Sequence, residues 1–363
     1  MSANDTFEGW VGLDPSAAQG NMKWQSFTPK PFASTDVDIA ISHCGICGSD
    51  LHTLRSGWGA TPYPCVVGHE IVGRATRVGE AAVAANGRPM AVGERVGVGA
   101  QCAACLKPDC AFCADGLENH CPAGVTTYAA AFPDGSAAYG GYATRHRCPA
   151  HFAVRIPEAL ASADAAPMLC GGVTVYSPLK RHGCGPGKKV GIVGLGGLGH
   201  FGVLFAKALG ADDVVVISRT AAKKKDAEAM GATGFVATEE DEDWATTGPW
   251  ANKLDLIVST VSSPKMPLMG YLGLLKFRGA FVQVGAPEDI MPGISAFPLI
   301  MKEVSISGSA IGAPREIEEM LQLAADGKIK PWVQVRPMKE ANQAVVDFEE
   351  GKPRYRFVLE NEQ

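Results

Sequence analysis

Five cysteines, Cys102, Cys105, Cys110, Cys113 and Cys121, fall within 20 residues of one another in this 363-residue chain of 11 cysteines. In a reducing compartment, thiols clustered this densely point to metal binding ahead of disulfides. The spacing Cys105-x4-Cys110-x2-Cys113-x7-Cys121 offers the four thiolates of a closed structural zinc site, with Cys102 as a fifth candidate. A second set of metal-capable side chains is spread more widely: Cys44, Cys47, Ser49, Asp50 and His52 on one short stretch, then His69-Glu70, then Cys170. Read alone, Cys44-x2-Cys47 fits a redox pair as well as a ligand pair, and an isolated His or Cys fits packing as well as coordination. A third chemical signal is Gly194-x-Gly196-x2-Gly199, which includes Gly197 and Leu198. Such a loop binds a dinucleotide when it follows a strand and opens a helix: the first glycine makes the turn, the second admits the pyrophosphate, and the third lets helix pack on strand.

The elements around the loop meet that condition. Residues 188–193 read as a buried strand, and a helix runs from the loop to Leu209 before Gly210. Further strands are expected at 214–217, 234–237, 254–259, 280–284 and 304–310, with helices at 221–230, near 266–276 and at 314–326, the last ending before Gly327. Strands alternating with helices predict an α/β domain with a doubly wound parallel sheet. The second strand ends in Ser218-Arg219-Thr220, with Lys223, Lys224 and Lys225 behind it and no carboxylate at the strand end. A hydroxyl beside a guanidinium suits a 2′-phosphate, so NADP(H) is expected over NAD(H). The first 165 residues read instead as short strands, 37–41 and 94–98 among them, punctuated by Gly and Pro: an irregular, mainly β domain. The acidic run Glu239-Glu240-Asp241-Glu242-Asp243 is expected to be a solvated loop.

Composition narrows the classes. With 33 basic and 38 acidic residues the net charge is −5, which gives no reason to expect nucleic acid or an anionic membrane as partner. Hydrophobic residues make up 46%, as in an ordinary globular protein. The longest uncharged stretch, 190–206, is rich in Gly and too short to span a bilayer. Asp5 and Glu8 interrupt the N-terminus, so no secretory signal is expected and a cytoplasmic enzyme is.

Together these pieces resemble the zinc-dependent medium-chain alcohol dehydrogenases. Gly68-His69-Glu70-x2-Gly73-x5-Gly79 matches that superfamily's zinc signature, and four stretches resemble its NADP-dependent cinnamyl alcohol dehydrogenase branch: HCGICGSDLH at 43–52, LCGGVTVYSPL at 169–179, GIVGLGGLG at 191–199 and RYRFVL at 354–359. The resemblance runs from about Trp24 to Leu359. It implies a Rossmann domain over 171–310 and a mainly β, GroES-like catalytic domain over 1–170 and 311–363. It implies two zinc ions per chain. Cys47, His69 and Cys170 would hold the catalytic one, with Glu70 beside it as a transient ligand and Asp50 orienting a ligand. Cys105, Cys110, Cys113 and Cys121 would hold the structural one. The family's usual Cys-x2-Cys start to that loop is absent here, which leaves Cys102 and Cys105 as alternatives for its first ligand. Ser49 and His52 match the family's proton relay, Thr174 a nicotinamide contact and Arg354 a phosphate contact.

The activity implied is reversible reduction of an aldehyde to a primary alcohol by NADPH, on a small-molecule substrate held in a cleft between the domains. Trp58 is a candidate for lining that pocket. The family also implies a homodimer paired through the 304–310 strand. Three alternatives stand beside this reading: the same fold reducing a conjugated C=C or an imine, an NAD-dependent polyol dehydrogenase, and a non-enzymatic protein on a borrowed fold. The polyol reading lacks an acidic residue at the second strand's end, and the non-enzymatic reading predicts decay of ligands that are all present.

Overall fold

The computed structural model describes residues 5–362. It divides into two compact units: one comprising residues up to Val173, Ile311–Gly327 and from Trp332 onward, the other Thr174–Ala310 and Lys328–Pro331.

The second unit is built around six parallel strands. They are β1 (Lys189–Val193), β2 (Asp213–Ser218), β3 (Gly234–Ala237), β4 (Leu254–Ser259), β5 (Leu275–Gln283) and β6 (Ser305–Gly308). Their order across the sheet is β3-β2-β1-β4-β5-β6, all parallel. The order reverses beside β1, and a doubly wound sheet binds its ligand where that reversal opens a crevice at the strands' carboxyl ends. Val193, Val215, Ile217, Leu254, Ile257 and Phe281 are buried in the core beneath it. These are near-continuous apolar runs, as expected of strands covered on both faces.

The doubly wound expectation is borne out, with local differences. β5 starts at Leu275, five residues before the expected 280, because Gly279 and the left-handed Arg278 (φ 59°) break the alternation that marks a strand. The helix expected at 221–230 opens as a tight 3-10 turn, Ala221–Lys223, before Lys224–Ala229. The helix expected at 314–326 is regular over Pro314–Leu323 and widens over Ala324–Lys328, where Gly327 turns left-handed (φ 78°). The acidic run 239–243 is exposed.

The first unit is the mainly β, GroES-like one. Its sheet runs in the order Val333–Pro337, Arg356–Glu360, Asp36–Gly45, Ile71–Val78, Arg95–Val98, Val154–Arg155, with Arg145–Pro149 also pairing on Asp36–Gly45. Only the first pair is parallel. Val37, Ile39, Ile71, Val96 and Val98 are fully buried along it. This sheet brings residues from both ends of the chain together, since Leu359 pairs with Cys44 and Cys44 with Ile71. No helix among the described residues is long and apolar enough to cross a membrane.

Candidate functional site

Cys47, His69 and Cys170 converge in the first unit, all buried, with one ligand atom from each lying within 4.8 Å of the others. Each stands where a regular element begins or ends. Cys47 is the N-cap of the helix Gly48–Leu54, His69 lies two residues before the first residue of the strand Ile71–Val78, and Cys170 follows a 3-10 turn (Ala166–Leu169) and precedes the helix Gly171–Arg181. Side chains at such ends are held by rigid elements on one side only, and so can point inward together.

The electrostatics of the trio suit a cation. The Cys47 and Cys170 sulfurs lie 4.0 Å apart and share a hydrogen bond, which pulls the Cys47 thiol well below its usual range, with His69 adding to the effect, and pushes Cys170 up. His69 Nε2 is buried and has no hydrogen-bond partner among the described residues. Two sulfurs and an unpartnered imidazole nitrogen in a dry site are a costly arrangement unless a soft or borderline cation binds them. Two Cys and one His with a fourth position left open is the set already known for catalytic zinc in alcohol dehydrogenases. The residues therefore fit that ion.

Glu70, expected as a transient ligand, stands just outside the three donors that converge within 4.8 Å. Both its oxygens accept from Arg356 Nη2 at 2.6 Å, and Oε1 accepts the Gly171 N–H at 3.3 Å. Burial raises the Glu70 carboxyl to about 8, with Arg356 opposing the rise. Arg356 resists its own burial because Glu70 faces it. The approach is so close that a Cβ on Gly45 would lie 1.9 Å from Glu70 Oε2.

Ser49 and His52 share the helix Gly48–Leu54. Ser49 Oγ lies 3.5 Å from Cys47 Sγ, which places a hydroxyl at the edge of the trio. His52 stacks on Trp58 (4.4 Å, 14°), and its Nδ1 accepts from Arg55 Nη2 at 3.0 Å. A guanidinium can only donate, so the neutral imidazole carries its proton on Nε2. Trp58 is 48% exposed.

The second cysteine cluster consists of Cys105, Cys110, Cys113 and Cys121. Their sulfurs lie 3.5 Å (Cys105–Cys121), 3.8 Å (Cys105–Cys113) and 4.0 Å (Cys110–Cys121) apart. The edges of a zinc tetrathiolate with ~2.3 Å bonds are about 3.8 Å, so the four fit a closed tetrahedral site. Cys102 is fully buried elsewhere and donates to the Thr126 carbonyl.

In the second unit, the glycine loop joins β1 to the helix Gly199–Ala208. Gly194 is left-handed (φ 85°), and a Cβ on Gly199 would meet Gly194 O at 1.8 Å, so fold geometry alone dictates both. A Cβ on Gly196 would touch nothing within 4 Å. The protein itself does not need glycine there, whereas a pyrophosphate pressed against the backbone does. Gly197 and Leu198 complete the turn, and His200 N–H returns to Gly196 O at 3.0 Å to start the helix.

At the end of β2, Ser218 is half-buried while Arg219 and Thr220 are exposed. Their turn is pinned by Thr238 N–H on Ser218 O and Glu239 N–H on Arg219 O, both at 2.9 Å. Lys223 reaches back to donate to Leu195 O at 2.7 Å, inside the glycine loop, while Lys224 and Lys225 stay exposed. Thr174 is buried on the helix Gly171–Arg181. Arg354 is exposed and donates to the backbone carbonyls of Gly351 and Pro353.

Two family models match the chain: "Alcohol dehydrogenase GroES-like domain" over 33–158 and "Zinc-binding dehydrogenase" over 197–326. NADP-dependent alcohol dehydrogenase 6 of Saccharomyces cerevisiae is 43% identical over 362 residues, covering 99% of this chain and 98% of that protein. Cinnamyl alcohol dehydrogenase 2 of Rauvolfia serpentina is 41% identical, covering 97% and 94%. The chain belongs to the zinc-binding medium-chain alcohol dehydrogenases, in the cinnamyl alcohol dehydrogenase branch. Solved structures agree. A cinnamyl alcohol dehydrogenase from Sorghum bicolor superposes with a TM-score of 0.90 at 36% identity, covering 98% of both chains. One from Helicobacter pylori, complexed with NADP(H), gives 0.87 at 31%, also covering 98% of both.

Three residues at the metal trio escaped the sequence reading: Arg356, Tyr142 and Tyr128. For Arg356 a signal existed, a lone charge at the head of the apolar run Phe357-Val358-Leu359. Nothing in the sequence marked Tyr128, whose ring stacks on His69 (5.0 Å, 17°), or Tyr142, whose hydroxyl donates to Asp50 at 2.9 Å.

Proposed function

We propose that the protein is a zinc-dependent, NADP(H)-linked alcohol dehydrogenase that interconverts aldehydes, aromatic or aliphatic, with primary alcohols. The observation that carries this reading is the buried convergence of Cys47, His69 and Cys170 with the Ser49 hydroxyl at its edge. Cys47, His69 and Cys170 would hold the catalytic ion, and Cys105, Cys110, Cys113 and Cys121 the structural one. When bound, zinc polarises the carbonyl oxygen as a Lewis acid and NADPH supplies the hydride. Arg356 holds the Glu70 carboxyl paired beside the trio, where it would stand ready as a transient ligand. Ser49 Oγ would give a proton to the product oxygen, and His52, further along the same helix, would resupply it from solvent. Arg55, itself paired with Glu349 at 2.8 Å, holds the His52 ring so that Nε2 carries the mobile proton. In this reading residues 1–170 and 311–363 form the catalytic domain and 171–310 the NADP(H) domain. NADPH oxidation followed by absorbance against a panel of aldehydes tests the activity; no turnover with any of them in zinc-replete protein would contradict it.

Cofactor choice rests on Ser218, Arg219, Thr220 and Lys223, with Gly194, Gly196, Gly197, Leu198 and Gly199 cradling the pyrophosphate, and with Thr174 and Arg354 as further contacts. Arg219→Ala should raise the KM for NADPH far more than that for NADH. A charge-assisted bond to phosphate is worth about 1.5–3 kcal/mol, or ~10- to 150-fold. Equal KM values for the two cofactors in the parent enzyme would remove the assignment.

A homodimer is part of the same proposal. β6 leaves an open edge on the six-stranded sheet, and the neighbouring helix Ala296–Lys302 exposes Phe297 (72%), Ile300 (67%) and Met301 (72%). An unpaired strand edge beside a contiguous apolar patch is a surface that a second copy would cover. Sedimentation should give twice the chain mass for the parent and a shift toward the single-chain mass for Ile300→Asp; a parent that sediments as a single chain would rule the dimer out. A cytoplasmic location fits the free thiols on which both metal sites depend.

A further inference from the structure

Asp50, to which the family resemblance gives a ligand-orienting role, is completely buried beside the metal trio, and what holds it there is not part of that resemblance. Its Oδ2 accepts the backbone N–H of Cys47 at 2.9 Å and the hydroxyl of Tyr142 at 2.9 Å. Its Oδ1 accepts the backbone N–H of Gly68 at 3.2 Å. One carboxylate thus ties the backbone of the ligand Cys47 to the residue directly before the ligand His69. These two anchors lie on separate segments of chain, with nothing local in sequence to keep them in register.

A buried carboxylate holds such a place only while its lone pairs are met, and each missing donor is expensive in a dry site. Two of the three donors are the backbone groups being positioned. The third, the Tyr142 hydroxyl, comes from outside them. Tyr142 is itself fixed: it is fully buried, its N–H bonds to Val67 O at 3.0 Å, and Gly140 and Gly141 donate to Val66 O and Gly68 O at 2.7 Å. Its ring fills the space a side chain at residue 68 would need. A Cβ on Gly68, which is left-handed (φ 99°), would lie 2.5 Å from Tyr142 Cδ1. The tyrosine therefore braces the segment before His69 by its ring and the carboxylate by its hydroxyl.

We infer that Tyr142 is a positioning residue for the metal trio: through Asp50 its hydroxyl holds the Cys47 and His69 backbones in register, and so sets how long the site keeps its metal. The inference rests on reading Cys47, His69 and Cys170 as the zinc site. Partners one layer out from metal ligands change metal affinity by ~10–100-fold when removed. Tyr142→Phe keeps the ring and loses only the hydroxyl. It should release one of the two zinc ions to a chromogenic chelator about 10-fold faster than the parent, with the other ion leaving at the parent rate.

Asp50→Asn keeps the shape of the carboxylate and removes its charge, so it should speed release of the same ion. The double variant should then be no faster than Asp50→Asn alone, because the hydroxyl acts only through the carboxylate. The visible spectrum of the cobalt-substituted protein should shift in Tyr142→Phe and stay unchanged in Ile39→Val, a core substitution that serves as the control for lost stability. Zinc release from Tyr142→Phe at the parent rate, equal acceleration of both ions, or additive effects in the double variant would overturn the inference. A parent chain that retains only one zinc ion would overturn the site reading beneath it, so the two failures are distinct.

Discussion

Cys170→Ala should lower kcat/KM for aldehyde reduction by about 10³-fold or more while leaving the protein folded. Metal polarisation of a carbonyl contributes several kcal/mol to the transition state, and ~4 kcal/mol corresponds to three decades in rate. The substitution removes one of only three protein ligands, and it leaves Cys47 and His69 with a site that can no longer hold the ion in an open tetrahedral arrangement. Elemental analysis should fall from two zinc ions per chain to one. Cys110→Ala should behave in the opposite way: thermal stability falls, because a closed four-thiolate site contributes directly to folding, while the remaining folded fraction keeps its turnover. Measuring kcat/KM, zinc content and Tm on the two variants decides the matter. If the phenotypes were exchanged, the catalytic and structural roles of the two clusters would be reversed.

Ser49→Ala should slow aldehyde reduction by ~10²–10⁴-fold, the range expected when general-acid catalysis is lost. Ser49 Oγ is the hydroxyl the structure places at the edge of the metal trio, 3.5 Å from Cys47 Sγ. His52 stands further along the same helix, against the 48%-exposed Trp58. Water can substitute for it, so His52→Ala should cost less than Ser49→Ala. Zinc content should be unchanged in both, since neither residue belongs to the ligand set. Full activity in Ser49→Ala would show that the proton takes another route.

What the sequence disclosed about this molecule was local. The glycine loop could be read because its signal lies in one stretch of strand, turn and helix, and the strand-end Ser218-Arg219 pair lies at a fixed distance from it. The four cysteines from Cys105 to Cys121 were legible for the same reason, although only the folded loop separates Cys105 from Cys102. The catalytic trio could be named only through the family's motifs, because 123 residues separate Cys47 from Cys170 and no periodicity links them.

Tyr142 lay beyond reach, and the signal at Arg356 did not say what it faces. Each acts through a partner that only the sheet of the first unit brings near: Glu70, 286 residues from Arg356, and Asp50, 92 residues from Tyr142. A sequence reading of RYRFVL favours Arg354 as the functional arginine. In the folded chain Arg354 is exposed and bonds to backbone carbonyls, and Arg356 is buried against Glu70. Arg354 lies in the bend before the strand Arg356–Glu360, and Arg356 opens that strand, where pairing with distant segments brings it against Glu70.

The most direct measurement is the identity of the product formed from cinnamaldehyde and NADPH. In the proposed mechanism, zinc held by Cys47, His69 and Cys170 would need an oxygen to polarise, and Ser49 an oxygen to protonate. Hydride should therefore go to the carbonyl carbon, giving cinnamyl alcohol with its double bond intact. Saturated aldehyde as the main product would contradict the account, because it would place the hydride on the β-carbon and not on the carbonyl carbon next to the oxygen that Ser49 protonates.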